Sequence, residues 1–311
     1  MKILVTGVGG QLGHDVMNEL AKRGHDGIGS DLAPAYSGAM DGTPVTAMPY
    51  TAMDITDSDM VRRTLLELRP DAVIHCAAWT AVDLAEDEDK VEKVRAINAG
   101  GTEHIASVCR ELGCKMMYIS TDYVFHGEGT HFWEPDDLDR QPLNVYGQTK
   151  YEGELAVERN LSRYFIVRIA WVFGVNGKNF IRTMLNLGKT RDQLTVVDDQ
   201  IGSPTYTFDL ARLLVDMIET EKYGRYHATN EGICSWYEFA CEIFRQAAAM
   251  GRTEYDADHL TVAPVSADRY PTKARRPSNS RMSKEKLSEN GFTRLPDWQD
   301  AVARYLREIE F

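Results

Sequence analysis

A glycine-broken turn between an apolar run and a helical pattern, at the very start of the chain, limits the possible folds more than any other feature. Lys2–Thr6 is short, apolar and rich in β-formers, which suits a strand buried on both faces. Gly7, Gly10 and Gly13 follow three apart, and Gly9 adds a further glycine to the loop. Leu12, Val16, Met17 and Leu20 then share one helical face, and Gly24 is placed to end that helix in a left-handed turn. A strand, a glycine turn and a helix together make a phosphate cradle. Glycines let the backbone turn sharply and let a pyrophosphate reach the free N–H groups at a helix N-terminus. An ordinary tight strand-to-helix turn is the plain alternative; the strand before and the helix after favour the cradle. Gly7, Gly10, Gln11, Leu12 and Gly13 are therefore the first candidate cofactor residues.

The next segment extends the unit. His25–Asp31 reads as a second strand that ends in an acid, about 20 residues beyond the glycines, where dinucleotide-binding folds hold the adenine ribose. An acid there takes the ribose hydroxyls and repels a 2′-phosphate. No arginine stands beside Asp31, so NADH is favoured over NADPH. Asp54 and Ile55 follow a proline-containing insert over Leu32–Met53 and open a helix near Ser58–Arg69, with Asp57 or Ser58 as its cap. Asp54 would stand at a strand end near an adenine, or act as a cap itself.

Pro70-Asp71 leads into Ala72–Ala78, a buried strand whose last residues, Ala77 and Ala78, are small enough for a cofactor to lie against the backbone. The acidic stretch Asp83–Asp89 reads as a solvated loop and helix start. A helix over Val91–Leu112 carries Asn98-Ala-Gly-Gly-Thr102 inside it, poor helix material that calls for close packing against the sheet or a ligand. Lys115–Phe125 is a strand that presents Ser120, Thr121 and Asp122 at its C-terminal end, where open α/β sheets bind ligands. After an Asp- and Pro-rich loop, a helix from Val145 to about Arg159 places Tyr146 and Lys150 one turn apart on one face. A lysine beside a tyrosine favours the phenolate, so Tyr146 is expected to have a lowered pKa and to serve as a proton donor.

The second half alternates in the same way. A strand over Tyr164–Gly174 is followed by an amphipathic helix over Asn179–Leu187 and a strand over Leu194–Gln200. The helix Phe208–Thr220 and the strand Gly224–Thr229 are expected to return to the first domain. This predicts interleaved domains: residues 1–174 plus about 205–230 as a Rossmann-type, doubly wound parallel sheet, and about 175–204 and 231–311 as a smaller mixed α/β substrate domain. Helices are expected over Ser235–Ala249 and Asp297–Glu308. Lys273, Arg275, Arg276 and Arg281 gather four cations into nine residues, a pattern suited to a nucleoside diphosphate, with pairing to the acidic excess as the alternative.

A length of 311 residues gives ample chain for a core. A net charge of −12 argues against nucleic acid or an anionic membrane as partner. No apolar run approaches the roughly 18 residues of a membrane span, and no signal-peptide pattern precedes Lys2. Five scattered cysteines, Cys76, Cys109, Cys114, Cys234 and Cys241, fit reduced thiols in the cytoplasm.

In combination, Thr6-Gly7-x-x-Gly10-x-x-Gly13, Asp54-Ile55, Ala77-Ala78, Asn98, Ser120-Thr121 and Tyr146-x-x-x-Lys150 resemble the extended short-chain dehydrogenase/reductase family. Further stretches, Ala77–Asp83, Ser120–Phe125, Ala170–Phe173, Asp199–Thr205 and Ala274–Arg281, are similar to its branch that reduces dTDP-4-dehydro-L-rhamnose. The resemblance implies a nucleotide-sugar substrate and NADH or NADPH as cofactor, held by the glycine loop, Asp31, Asp54, Ile55, Ala77, Ala78, Asn98, Tyr146 and Lys150. It implies Thr121, Tyr146 and Lys150 as catalytic residues, with Tyr146 protonating the developing alkoxide and Thr121 bonding the same oxygen. Thr121, Asp122, Trp171 and Arg275 would bind the sugar nucleotide. The same resemblance leaves open another nucleotide-sugar reductase or epimerase, or a regulatory subunit similar to the methionine adenosyltransferase β subunit. It also leaves open a homodimer and a Mg²⁺ ion, for which no ligand spacing asks.

Overall fold

The computed structural model describes residues 1–311. In chain order it runs β1 (Lys2–Thr6), α1 (Gln11–Lys22), β2 (Asp26–Asp31), β3 (Tyr50–Ala52), α2 (Ser58–Leu68) and β4 (Ala72–His75). Next come α3 (Val91–Arg95), α4 (Thr102–Leu112), β5 (Lys115–Thr121), α5 (Val145–Asn160), β6 (Tyr164–Ile169) and β7 (Val172–Phe173). The chain continues through α6 (Phe180–Gly188), β8 (Gln193–Val197), β9 (Ile201–Gly202), β10 (Thr205–Tyr206), α7 (Thr207–Ile218) and β11 (Gly224–His227). It ends with β12 (Cys234–Ser235), α8 (Trp236–Ala249), β13 (Thr261–Val265), α9 (Glu285–Glu289) and α10 (Trp298–Glu308).

Seven strands form one sheet in the order β3-β2-β1-β4-β5-β6-β11, every neighbouring pair parallel. The order reverses direction between β1 and β4, which opens a crevice at the C-terminal ends of those strands. Alternation along β1 shows why the sheet needs helices on both faces. Ile3 and Val5 pack with Val16 and Leu20 of α1 and Leu210 and Leu214 of α7, whereas Leu4 turns to the opposite core with Val61, Ile105 and Val157. A third core joins Phe173 and Tyr206 to α6, α8 and α10, with the two rings stacked 5.2 Å apart. Three short strand pairs, β7 with β10, β9 with β12 and β8 with β13, lie outside the large sheet.

Several expected elements break or end differently from the reading. The strand over Tyr164–Gly174 breaks after Ile169, with β7 leaving the large sheet to pair with β10, and the strand over Leu194–Gln200 ends at Val197. The helix over Val91–Leu112 is interrupted at Ala96–Gly101, where one wider π turn absorbs the residues with poor helix propensity. Gly101 sits there because a side chain would meet Ile55 at 2.7 Å. The strand expected over Lys115–Phe125 stops at Thr121, whose hydroxyl caps the short helical turn Asp122–Val124. Asp57 caps α2 through the amides of Asp59 and Met60, as its position suggested.

Candidate active site

The glycine turn is built by contact with the neighbouring strand. Gly7 has φ +73°, and a Cβ there would stand 2.6 Å from the Ala77 amide nitrogen. At Gly13 a Cβ would meet the Gly7 carbonyl at 2.3 Å, so only glycine lets α1 start this close to β1. No side chain caps α1 and no acid stands in its first turn. The amides of Gln11, Leu12 and Gly13 are therefore free to receive an anion. This cradle lines a cleft of about 890 Å³ that runs along the C-terminal edge of the sheet.

At one end of the cleft stand Asp31, Leu32, Asp54, Ile55 and Thr56. Asp31 holds the loop as well as facing the cleft: Oδ2 accepts from the Gly9 amide at 2.9 Å and Oδ1 from that of Leu32 at 2.8 Å. Asp54 accepts from the Thr56 amide and hydroxyl through Oδ1, at 2.9 and 2.7 Å. Ala77 and Ala78 form part of the wall. Asn98 does not: it is 1% exposed and lies behind that wall. Its Oδ1 accepts from the Trp79 amide (2.8 Å) and its Nδ2 donates to Thr149 Oγ1 (3.0 Å), so it ties the segment after β4 to α5. Direct cofactor contact, the expected role of Asn98, gives way to bracing of the wall.

Thr121, Tyr146 and Lys150 line the other end of the cleft, brought there by the end of β5 and the first two turns of α5. Asn144 caps α5 through the Gly147 amide, and Gly147 lies against the Tyr123 carbonyl, where a Cβ would stand at 2.3 Å. Burial pushes the Tyr146 phenol up to about 12, and contact with the Thr121 hydroxyl works against it only in part. The expected lowering by Lys150 is absent for a geometric reason. Lys150 Nζ donates to the Ile119 carbonyl at 2.7 Å and lies 4.1 Å from the centre of the Tyr118 ring. Burial also pulls the Lys150 ammonium down to about 7, against the pull of the Glu154 charge. Tyr146 thus keeps its proton at neutral pH, as an acid must.

Asp122 is less available to a sugar than expected. Its Oδ1 accepts from the Thr121 hydroxyl at 2.9 Å and its Oδ2 from Ser280 at 2.5 Å. Burial raises this carboxyl to about 6, with those two hydrogen bonds restraining it. Behind Ser120 lies a fully buried pair, Glu154 with Arg168 at 2.7 Å, and Glu154 also accepts from Ser120 at 2.6 Å. Trp171 lines the cleft beside Trp236, the two indoles stacked 3.8 Å apart. Trp171 has φ +50°, an uncommon conformation for a bulky residue, held by contact with β10 through its carbonyl.

Arg275 stands outside the cleft and pairs with Glu128 at 3.3 Å on the surface. Its neighbours are engaged similarly: Lys273 with Asp87, and Arg276 with Asp83 at 2.6 Å. Three of the four cations thus pair with the acidic stretch Asp83–Asp89 and Glu128, the alternative open at the sequence level, while Arg281 donates to Asn279 Oδ1 at 2.9 Å. The reading missed Trp236, Asn176 and Lys178, all of which line the cleft. An Asn-Gly pair at 176 and 177 signals a turn, and nothing local shows what that turn faces. No group of three His, Cys, Asp or Glu side chains converges on a metal position.

The model of the RmlD substrate binding domain matches residues 1–311. The chain belongs to that family. It is 37% identical to the dTDP-4-dehydrorhamnose reductase of Escherichia coli (strain K12), over 99% of this chain and 98% of the relative. It is 36% identical to the spore coat polysaccharide biosynthesis protein SpsK of Bacillus subtilis (strain 168), over 99% of this chain and 97% of that protein. Among solved structures, a dTDP-4-dehydrorhamnose reductase of Clostridium acetobutylicum superposes with a TM-score of 0.87 at 37% identity, covering 99% of both chains. One from Bacillus anthracis, in complex with NADP, gives 0.86 at 37% identity and covers 99% of this chain and 100% of that one. The extended short-chain dehydrogenase/reductase fold read from the motifs is the fold found.

Proposed function

We propose that this chain reduces the 4-keto group of dTDP-4-dehydro-L-rhamnose to give dTDP-L-rhamnose, with NADH or NADPH as reductant. The observation that carries the reading is a single cleft with an uncapped glycine cradle at one side and a half-buried Tyr146 beside Thr121 at the other. It stands in a chain similar over its full length to reductases of that name.

The residues present fit a dinucleotide: the first-turn amides of α1 would hold the pyrophosphate, Asp31 the adenine ribose, and Ala77 and Ala78 admit the cofactor backbone against the sheet. When bound, the dihydronicotinamide supplies the hydride for the carbonyl carbon. Tyr146 donates its proton to the oxygen that becomes the hydroxyl, the step for which a phenol held in its neutral form is suited. Lys150, on the same helix face, would hold the nicotinamide ribose. The Trp171–Trp236 stack forms a flat apolar wall for the sugar. Residues 1–174 with about 205–230 form the cofactor domain in this reading, and about 175–204 with 231–311 the substrate domain. In this reading the enzyme works in the cytoplasm, where thiols are kept reduced.

The test is loss of NADH absorbance with dTDP-4-dehydro-L-rhamnose made in place by its upstream enzymes. Turnover by the wild type supports the reading. Cofactor binding without turnover on this sugar would refute the substrate assignment and leave the dinucleotide site standing.

A further inference from the structure

A single side chain from beyond β7 bonds three backbone groups on two segments at the glycine cradle. Asn176 Nδ2 donates to the carbonyls of Gly9 (3.0 Å) and Gly10 (3.1 Å), and its Oδ1 accepts from the Ala39 amide at 2.9 Å. The residue is 6% exposed and borders the cleft. The fit is close: a side chain at Gly38 would meet Asn176 Nδ2 at 2.8 Å, and Gly177 takes φ +105°, which a side chain would resist. Three residues on, Asn179 caps α6 and donates to Gln11 Oε1 at 3.0 Å, so the same turn also holds the first residue of α1.

These contacts act on the groups that would receive phosphate. The Gly10 carbonyl and the Gln11 amide belong to one planar peptide and point in opposite directions. Drawing the carbonyl toward Asn176 and the His14 amide directs the Gln11 N–H out of the helix start. A loop of four glycines among Gly7–Gly13 is entropically costly to order. Fixing it before the ligand arrives removes that cost from binding. The Ala39 contact fastens the insert after β2, beside Asp31, to the same point.

We propose that Asn176 is a positioning residue of the dinucleotide site, which preorganises the glycine cradle for a pyrophosphate from the far side of the cleft. This rests on the dinucleotide reading above. Asn176→Ala removes all three bonds. Asn176→Asp keeps an acceptor for Ala39, loses both donors and sets a negative charge beside the phosphate position. The probes are NADH and ADP-ribose, titrated into the full chain by calorimetry, with melting temperature recorded for each variant. Both variants are expected to bind both probes about tenfold or more weakly, Asp more so than Ala. With the keto-sugar, the loss falls on KM for NADH, with kcat at saturating cofactor within about twofold of wild type.

Because ADP-ribose lacks the nicotinamide, equal weakening of both probes locates the effect at the pyrophosphate and adenine half. Wild-type affinity for both probes in either folded variant overturns the proposal. So does a fall in kcat with KM for NADH unchanged. Failure of the wild type to bind either probe would instead overturn the dinucleotide reading itself. If the Ala variant does not fold, the Asp variant, which retains the Ala39 contact, decides.

Discussion

Tyr146 and Lys150 sit one helical turn apart, yet they do not act on each other as their spacing suggests. Lys150 bonds the Ile119 carbonyl, and burial decides the state of Tyr146. An ordinary tyrosine is already protonated at neutral pH, and burial makes this phenol harder still to ionise. Tyr146→Phe removes only the hydroxyl and is expected to lower kcat at least about a hundredfold. NADH affinity, read by direct titration, is expected to change little; a variant that keeps wild-type turnover would remove Tyr146 as the proton donor. Asp31 gives a second prediction at this scale. Because Oδ2 also holds the Gly9 amide, Asp31→Ala would disturb the loop as well as the charge. Asp31→Asn keeps an acceptor for that amide and removes the repulsion of a 2′-phosphate. The ratio of kcat/KM for NADPH to that for NADH is expected to rise in the Asn variant, and an unchanged ratio would separate Asp31 from cofactor choice.

At the level of elements, β5, β6 and α5 are held in register by a buried charge pair. Burial works to raise the Glu154 carboxyl, but the Arg168 charge, hydrogen bonds from Arg168 and Ser120, and Arg140 together hold it below its ordinary range. Glu154→Gln leaves the Arg168 guanidinium buried with a weaker partner, and a loss of about 3–5 kcal/mol in urea unfolding is expected. Because the folded carboxyl has the lowered pKa, the stability it provides is complete above the ordinary value of 4.5 and is lost as pH falls through the folded value. Gly13 tests the joint between β1 and α1. Its would-be Cβ meets the Gly7 carbonyl, a backbone atom that cannot swing aside. Gly13→Ala is expected to displace α1 and to abolish measurable NADH binding, at a stability cost of about 1–3 kcal/mol; calorimetry and a melting curve read the two effects separately.

Across the whole molecule, acid sensitivity follows from histidines buried in neutral form on different strands. Burial and the nearby Lys150 charge bring His75 down to about 3, and burial with the Arg168 charge brings His227 well below its ordinary value. Each is protonated in the unfolded chain below about 6.5 and neutral in the folded one. The share of folding stability due to these two rings is therefore full above that pH and declines below it, at a slope approaching about 2.7 kcal/mol per pH unit. The raised carboxyls of Asp15 (about 7) and Asp122 (about 6) contribute in the opposite sense over the same range. Urea midpoints at pH 7 and pH 5 for the wild type and for His75→Gln measure that ring's share, and the same pH dependence in both would contradict its neutral burial.

What the sequence by itself determined is what short-range pattern controls. The strand, glycine turn and helix of residues 2–22 are written in period and in glycine spacing, as are Gly24 at a positive φ of +74° and the cap at Asp57. So is the shared helix face of Tyr146 and Lys150, since one helical turn is a local property. The tertiary structure decided where side chains found partners far along the chain. Asn98 turned toward Trp79 and Thr149 rather than into the cleft, Arg275 went to Glu128, Trp171 met Trp236, and Asn176 reached back to Gly9 and Gly10. In each case the partner lies 19 to 167 residues away. No local period reports such a contact, because the hydrogen bond, ion pair or stack exists only once the fold has brought distant segments together, and where both groups are buried each then needs the other as partner.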